Sequence, residues 1–299
     1  MSRDAEARRA RAGILFVTPA LALIGVFFLL PVAASLLLSA TDFDLYAVAD
    51  VSRLRLVGLG NYAALAQDPL FWTALGNTFY FVVVASPLSV AVSLTAAVAV
   101  TAGGVRLAGL LRTLFFLPVV TSLVAVAVVW RYLYHPRFGL LNAALATLGI
   151  PPQDWLGNPH LAMPAIILLA VWKSFGFNMV VFMAGLQSIP TQLYEAASVD
   201  GAGKLAQFWR VTLPMLKPTF AFVIVISLIA NFQLFAEPYV MTRGGPSNHT
   251  LSVVLYMYEQ GFRWWSLGYA AAIAFVLFGV IVAVSLLTRC LARGRGAQA

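Results

Sequence analysis

YEAASVDGAGKLAQFWRVTLPMLKP, residues 194–218, is the longest polar interval between two apolar runs of this chain, and the rest is organised around it. Pro190 opposes continuation of a preceding helix, because its ring and missing N–H break the i→i−4 ladder. Thr191 then serves as N-cap for a short helix over 192–199, with Glu195 near its positive end. Gly201 and Gly203 mark a turn, since glycine takes φ > 0 without steric cost. A second short helix is expected over about 204–212, stopped ahead of Pro214. Two short helices at an angle, flanked by apolar spans, form a rigid knob projecting from a membrane.

Composition fixes that setting. Apolar residues make up 61% of the 299 residues and charged residues 10%, and mean hydropathy is +0.89. Soluble domains hold about 25% charged residues, so the chain reads as an all-α polytopic membrane protein whose helices satisfy their own backbone in lipid. Cys290 is the single cysteine, which excludes an intrachain disulfide. The net charge of +8 is a topology signal, and no basic stripe on a soluble face points to nucleic acid.

Outward from the knob, six apolar spans are expected over about 13–40, 75–100, 114–134, 161–186, 219–240 and 267–288. The first is too long for the roughly 7–15-residue apolar core of a signal peptide. A polar tail covers 1–12, the permeating body 13–288, and a basic tail without regular structure 289–299. Six spans put both ends on one side. That side carries Arg3, Arg8, Arg9, Arg11, Arg106, Arg112, Lys204, Arg210, Lys217, Arg289, Arg293 and Arg295; the other carries Arg53, Arg55, Arg131, Arg137, Arg243 and Arg263. The excess places both termini and the knob in the cytoplasm.

Nothing in the chain assembles a catalytic centre. Gly201 to Lys204 fails the phosphate-loop pattern, with Ser198 and Leu205 at two required positions. His135, His160 and His249 lie in outer loops without metal-ligand spacing, and no Ser-His-Asp, paired-carboxylate or Cys-His set falls on one side of the membrane. The expectation is a non-enzymatic chain with no metal and no bound cofactor. Polar residues inside spans are costly and become the functional candidates: Trp172, Lys173, Ser174, Phe177 and Asn178 in the fourth span, and Ser227, Asn231 and Gln233 in the fifth. Ser227 and Asn231, four apart, share a helix face. Hydroxyl, amide and aromatic groups suit a neutral polyol, while the same groups also serve helix–helix hydrogen bonding. Lys173 is left three options: snorkelling, pairing with Glu237, or meeting an anionic solute.

Glu195-Ala196-Ala197, Asp200, Gly201, Val211, Leu213 and Pro214 resemble the EAA-x3-G-x9-[IV]-x-LP coupling loop of ABC-importer permeases, with Val211 where that family writes Ile. Two further stretches resemble the carbohydrate-uptake branch, of the maltose and glycerol-phosphate type. One is GLGNYAALAQDPLFWTALGNTFYF at 58–81. The other is TRGGPSNHTLSVVLYMYEQGFRWWSLGYAAA at 242–272, in which Thr242, Gly244, Gly245, Pro246, Thr250, Tyr256, Tyr258, Phe262, Gly268, Tyr269 and Ala270 fill the pattern. The resemblance implies a type I importer permease fold in a bacterial inner membrane, forming half of a translocation pathway for a sugar or polyol. It implies four kinds of partner: a second permease, two ATPase subunits contacting 191–218 and carrying ATP and Mg, an extracytoplasmic solute-binding protein, and the bilayer. It also puts Ser227 and Asn231 where that family places sugar contacts. An ion-coupled carrier is the rival reading, which all eleven acidic residues oppose by falling in loops or at span ends; permeation of a non-sugar solute and a non-transporting scaffold are the others.

Overall fold

The computed structural model describes residues 3–50, 54–101 and 108–294. Arg53, Arg106 and Arg295 of the charge count lie outside the described residues. Among the described residues every regular element is a helix, and the one strand-like feature is an isolated bridge between Thr41 and Leu56. Five helical runs are long and apolar enough to cross a membrane: Gly13–Ser39, Pro69–Thr101, Pro159–Gln187, Lys217–Met241 and Leu267–Thr288. A bent pair, Ala108–Val120 and Leu123–Leu133, makes six if it counts as one.

The chain divides into two compact units. The first comprises 1–68 and 257–276. Its helices include α1 (Arg3–Ile24), α2 (Leu30–Ser39), α3 (Leu45–Ala49) and α4 (Gly60–Ala66). Here the 58–81 and 242–272 patterns act as clamps. Asn61 donates to the carbonyls of Ser39 and Thr41, both at 2.8 Å, and the Tyr62 hydroxyl meets Ser39 Oγ at 2.7 Å. The Gly268 amide donates to Phe43 O at 2.9 Å, and the Tyr269 hydroxyl donates to Asp68 at 2.8 Å.

The second unit, 69–256 and 277–299, holds the knob and the polar span residues. Its helices are α5 (Pro69–Thr101), α6 (Ala108–Val120), α7 (Leu123–Leu133), α8 (Leu140–Thr147), α9 (Pro159–Gln187), α10 (Thr191–Val199), α11 (Lys204–Gln207), α12 (Leu213–Met215), α13 (Lys217–Phe232) and α14 (Ala236–Met241); α15 (Val253–Tyr258) and α16 (Leu267–Gly294) complete the chain. Helix α9 is central and packs against α5, α6, α7, α13 and α14. Ile166, Leu169, Met179 and Phe182 on it are fully buried, so its sequence reads apolar nearly all round.

Several elements depart from the sequence reading. Helix α5 begins at Pro69, not near 75: proline suits a first helical position, and Phe71 and Ala74 are buried there. The third span is no single helix over 114–134, since its two arms meet at 100° around Thr121–Ser122. The fifth run is interrupted at 233–235, where the freed Leu234 carbonyl takes the buried Ser252 hydroxyl at 2.6 Å. The tail at 289–299, expected without regular structure, continues the last helix as far as Gly294.

Candidate functional site

Two neighbourhoods carry the residues singled out by sequence: the knob and the polar interior around α9. In the knob, α10 starts at Thr191 itself, with Pro190 in the capping position and no side-chain cap. Proline's extended conformation there (φ −59°, ψ 130°) already ends the preceding chain direction. Helix α10 closes in a left-handed cap. Gly201 has φ +77°, its amide donates to Ser198 O at 3.0 Å, and the Ala202 amide reaches back to Ala197 O at 2.8 Å. The second arm is not stopped ahead of Pro214. Winding widens over Phe208–Thr212, where the Leu213 amide bonds Phe208 O, and continues through Leu213–Met215. A turn closed i→i−5 removes the clash that a proline ring makes with an i−4 carbonyl.

Side chains lock the two arms together. Gln207 Nε2 donates to Ser198 Oγ at 2.8 Å and to Ala202 O at 3.0 Å, while the hydroxyls of Tyr194 and Thr212 meet at 2.9 Å. Glu195, Ala196, Asp200 and Gly201 are exposed. Val211 and Leu213 are half-buried in the second arm, and Pro214 is exposed. An apolar rim accompanies them: Val199 is 88% exposed, Leu205 73% and Trp209 62%. These three were not selected from sequence, although a Trp within a polar loop between two spans is a signal for a docked surface.

The polar interior is satisfied from within. Asn178 is buried and donates to Ser89 Oγ and Ser227 Oγ, both at 3.2 Å; Ser89 meets Ser174 at 3.0 Å. Asn231 donates to Ser86 Oγ at 2.8 Å, and Ser93 donates to the Phe175 carbonyl at 3.0 Å. Asn178, Ser227, Asn231 and Ser174 thus tie α5, α9 and α13 together in this conformation, because apolar surroundings favour pairing of amide and hydroxyl groups across helices. Lys173 makes a contact that the sequence reading did not offer among its options. Its ammonium donates to the carbonyls of Pro118, Val119 and Thr121 at 2.5, 3.1 and 2.9 Å, and among the described residues it makes no ion pair with Glu237.

Trp172, Phe177 and Gln233 remain exposed. Trp172 is exposed in a row with Pro164 and Leu168 at i, i+4 spacing, and Phe177 in a second row with Val180 and Ala184, about 140° round the helix from Trp172 at 3.6 residues per turn. Trp172 packs on Trp130 at 5.5 Å between centroids. A groove of about 590 Å³ between α5 and α13 is apolar, lined by Phe79, Val83, Pro87, Phe220, Ile224 and Phe232, and Ser86 at its edge is its polar member. The turn at 244–246 is braced by its own threonines: Thr242 and Thr250 hydroxyls meet at 2.6 Å, and Thr250 donates to Gly245 O at 2.7 Å. Among the described residues no cluster of His, Cys, Asp and Glu can hold a metal ion.

Comparison with known proteins places this geometry. Residues 89–296 match the model of the binding-protein-dependent transport system inner membrane component family. The lactose transport system permease protein LacF of Rhizobium radiobacter is 40% identical over 288 residues, covering 95% of this chain and 94% of that one. The arabinooligosaccharides transport system permease protein AraP of Bacillus subtilis is 36% identical, covering 96% and 90%. The sn-glycerol-3-phosphate transport system permease protein UgpA of Yersinia pestis is 33% identical, covering 91% of each. In fold, the chain superimposes on a bacterial ABC transporter involved in import of the acidic polysaccharide alginate, with TM-score 0.81, 22% identity and 97% of each chain covered.

Proposed function

The chain belongs to the binding-protein-dependent transport system inner membrane components, and on that premise we propose that it forms half of the translocation pathway for a sugar or polyol in an ATP-driven importer. It is a multi-pass ABC-importer permease, a non-catalytic subunit. The observation that carries the sugar assignment is its end-to-end relation to LacF, at 40% identity over 95% of the chain. No bound ATP or Mg is assigned to it; these belong to partner ATPases.

The knob is the proposed coupling element. Glu195, Ala196, Ala197, Asp200, Gly201, Val211, Leu213 and Pro214 form or brace its body, and Val199, Leu205 and Trp209 give it an apolar rim. Seated in a cleft of one ATPase, with Trp209 as an anchor of the kind that dominates interfaces, it transmits ATP-driven closure as a rigid body. The hydrogen bonds between its two arms supply that rigidity. The small side chains of Ala196 and Ala197 permit close approach, and Glu195 offers a charge-assisted contact. The arginine and lysine excess supports a cytoplasmic side for the knob and both termini.

On the pathway side, the exposed aromatic residues of α9, Trp172 and Phe177, are the groups this chain contributes from two faces of the helix, and a second permease closes the other half. Aromatic faces with few charges suit a neutral sugar. A binding protein delivers the solute from outside, in keeping with the family description and with the relative solved in complex with an alginate pentasaccharide-bound periplasmic protein.

The test is gentle affinity purification of this chain from its native membrane. An ATPase and a second permease are expected with it, and co-purifying ATPase is expected to be lost on deletion of 194–214. Sugars are then screened by binding-protein-dependent ATPase stimulation in nanodiscs. Recovery of this chain alone, active in uptake after ATP depletion, overturns the importer reading.

A further inference from the structure

The break in the third span frees backbone carbonyls from the i→i−4 ladder, and such groups require a partner. Three of these, on Pro118, Val119 and Thr121, are taken by Lys173 of α9 at 2.5, 3.1 and 2.9 Å, and Pro118 O accepts as well from the Thr121 hydroxyl at 2.6 Å and the Thr121 amide at 3.3 Å. An ammonium has three N–H donors and no acceptor, so this side chain is fully committed. The negative end of α6 adds a favourable field. The two helices are also in close backbone contact: a Cβ on Gly176 would stand 2.1 Å from the Phe115 carbonyl oxygen. On the far side, Ser89–Ser174 and Ser93–Phe175 bonds fix α9 to α5. Helix α9 is therefore a fixed post, and Lys173 is the pin that holds the bent span against it.

The same carbonyls have a second way to be satisfied. If α7 were to align with α6, the amides of Ser122, Leu123 and Ala125 would reach the carbonyls of Pro118, Val119 and Thr121 in the ordinary i→i−4 pattern. Two alternative donor sets for one row of acceptors make a two-state element. Helix α7 packs against α14, the outer segment beyond the break in the fifth run, so a swing of one carries the other.

We propose that Lys173 is a positioning residue for transport: it pins the third span in its bent form, and its release accompanies the swing of α7 as the pathway changes access. A lysine inside a span costs about 2.5–3.5 kcal/mol on insertion scales. A cost of that size is retained here by a side chain with three carbonyl partners and no ion pair among the described residues.

The experiment uses the assembled complex in nanodiscs, with Cys290→Ser and spin labels at Leu110→Cys and Val129→Cys, both lipid- or solvent-exposed positions on either side of the break. At 1.5 Å rise per residue, the two backbone sites lie about 19 Å apart across a 100° bend and about 29 Å apart in a straight helix. Lys173→Met is expected to move the distribution toward the long distance, to raise ATPase activity without binding protein several-fold, and to lower uptake about tenfold. Lys173→Arg, which keeps a multidentate cation, is expected to keep the short distance. An assembled Lys173→Met complex with an unchanged short distance overturns the proposal. Where Lys173→Met does not assemble, the wild-type pair is compared in the resting and nucleotide-trapped states. A shift to the longer distance supports the switch, and one short distance in both refutes it. The distance readout requires neither a known sugar nor coupling, so its failure is distinguishable from failure of the sugar-importer reading.

Discussion

Gly201 offers the most direct test of whether the knob acts through its shape. Its φ of +77° closes α10, and a Cβ built there meets nothing within 4 Å. Any effect of substitution therefore comes from the backbone, not from crowding within this chain. An L-residue in the left-handed region costs roughly 1–2 kcal/mol, with Asn and Asp tolerated better than others, and β-branched side chains fare worst. That is a five- to thirty-fold change in the population of the capped knob, on the scale of about 1.4 kcal/mol per tenfold. It is too little to unfold a protein whose helices are held by the α9 core. Gly201→Asn, Gly201→Ala and Gly201→Val should therefore assemble normally and lose transport in that order, with ATP hydrolysis persisting. Gly201→Asp adds a second negative charge beside Asp200 at the ATPase-facing turn and should uncouple more than Gly201→Asn does. The assay is sugar uptake per ATP hydrolysed in proteoliposomes, alongside subunit stoichiometry. Full uptake in Gly201→Val, or an order with Asn worst, refutes the backbone argument; retained uptake in Gly201→Asp refutes the coupling role.

Trp209→Ala should weaken ATPase association by about 2 kcal/mol or more if the exposed ring is an interface anchor, read as loss of co-purifying ATPase at fixed permease yield. Asn178→Ala removes two interhelical bonds, worth about 0.6 kcal/mol each in membrane helices, so thermal stability should fall by about 1 kcal/mol; unchanged stability with lost sugar stimulation would instead make Asn178 a pathway contact. Gly176→Leu forces α6 off α9 against a backbone carbonyl and should cost about 3 kcal/mol or more, seen as failure to recover the folded chain from detergent.

The knob was legible because its signals are local. A glycine at the end of a short helix, and the residues that close the turn around it, interact within a few positions, as the Ala202–Ala197 and Gly201–Ser198 bonds do. Helix identity was legible because a lipid environment leaves the backbone few alternatives. What sequence could not place was partner choice across helices. Lys173 finds its carbonyls 52 to 55 residues away, and Asn178 finds Ser89 at a separation of 89. The break at Thr121–Ser122 has no glycine, and Pro118 lies within the first arm, so the local pattern reads as one span. The exposure of Trp209 and Val199 depends on how the two arms fold back, which the spacing of apolar residues in so short a loop does not encode.

The satisfied interior also bears on how a neutral solute is handled. Ser86, Ser89, Asn178, Ser227 and Asn231 are the sugar-compatible groups of this unit, and each is occupied by another helix. A sugar hydroxyl donates and accepts as a serine hydroxyl does. Exchange of one for the other conserves the number of hydrogen bonds, whereas pulling the helices apart into lipid would leave buried groups unpaired at about 1–3 kcal/mol each. In the form described, these bonds hold α5, α9 and α13 together, so a sugar in the proposed importer would have to compete with them to reach the polar groups. In the proposed importer the exposed residues of α9 bring aromatic and aliphatic groups, and the Lys173 ammonium is held by three carbonyls; selectivity for charged sugars is then expected to rest with the second permease or the binding protein.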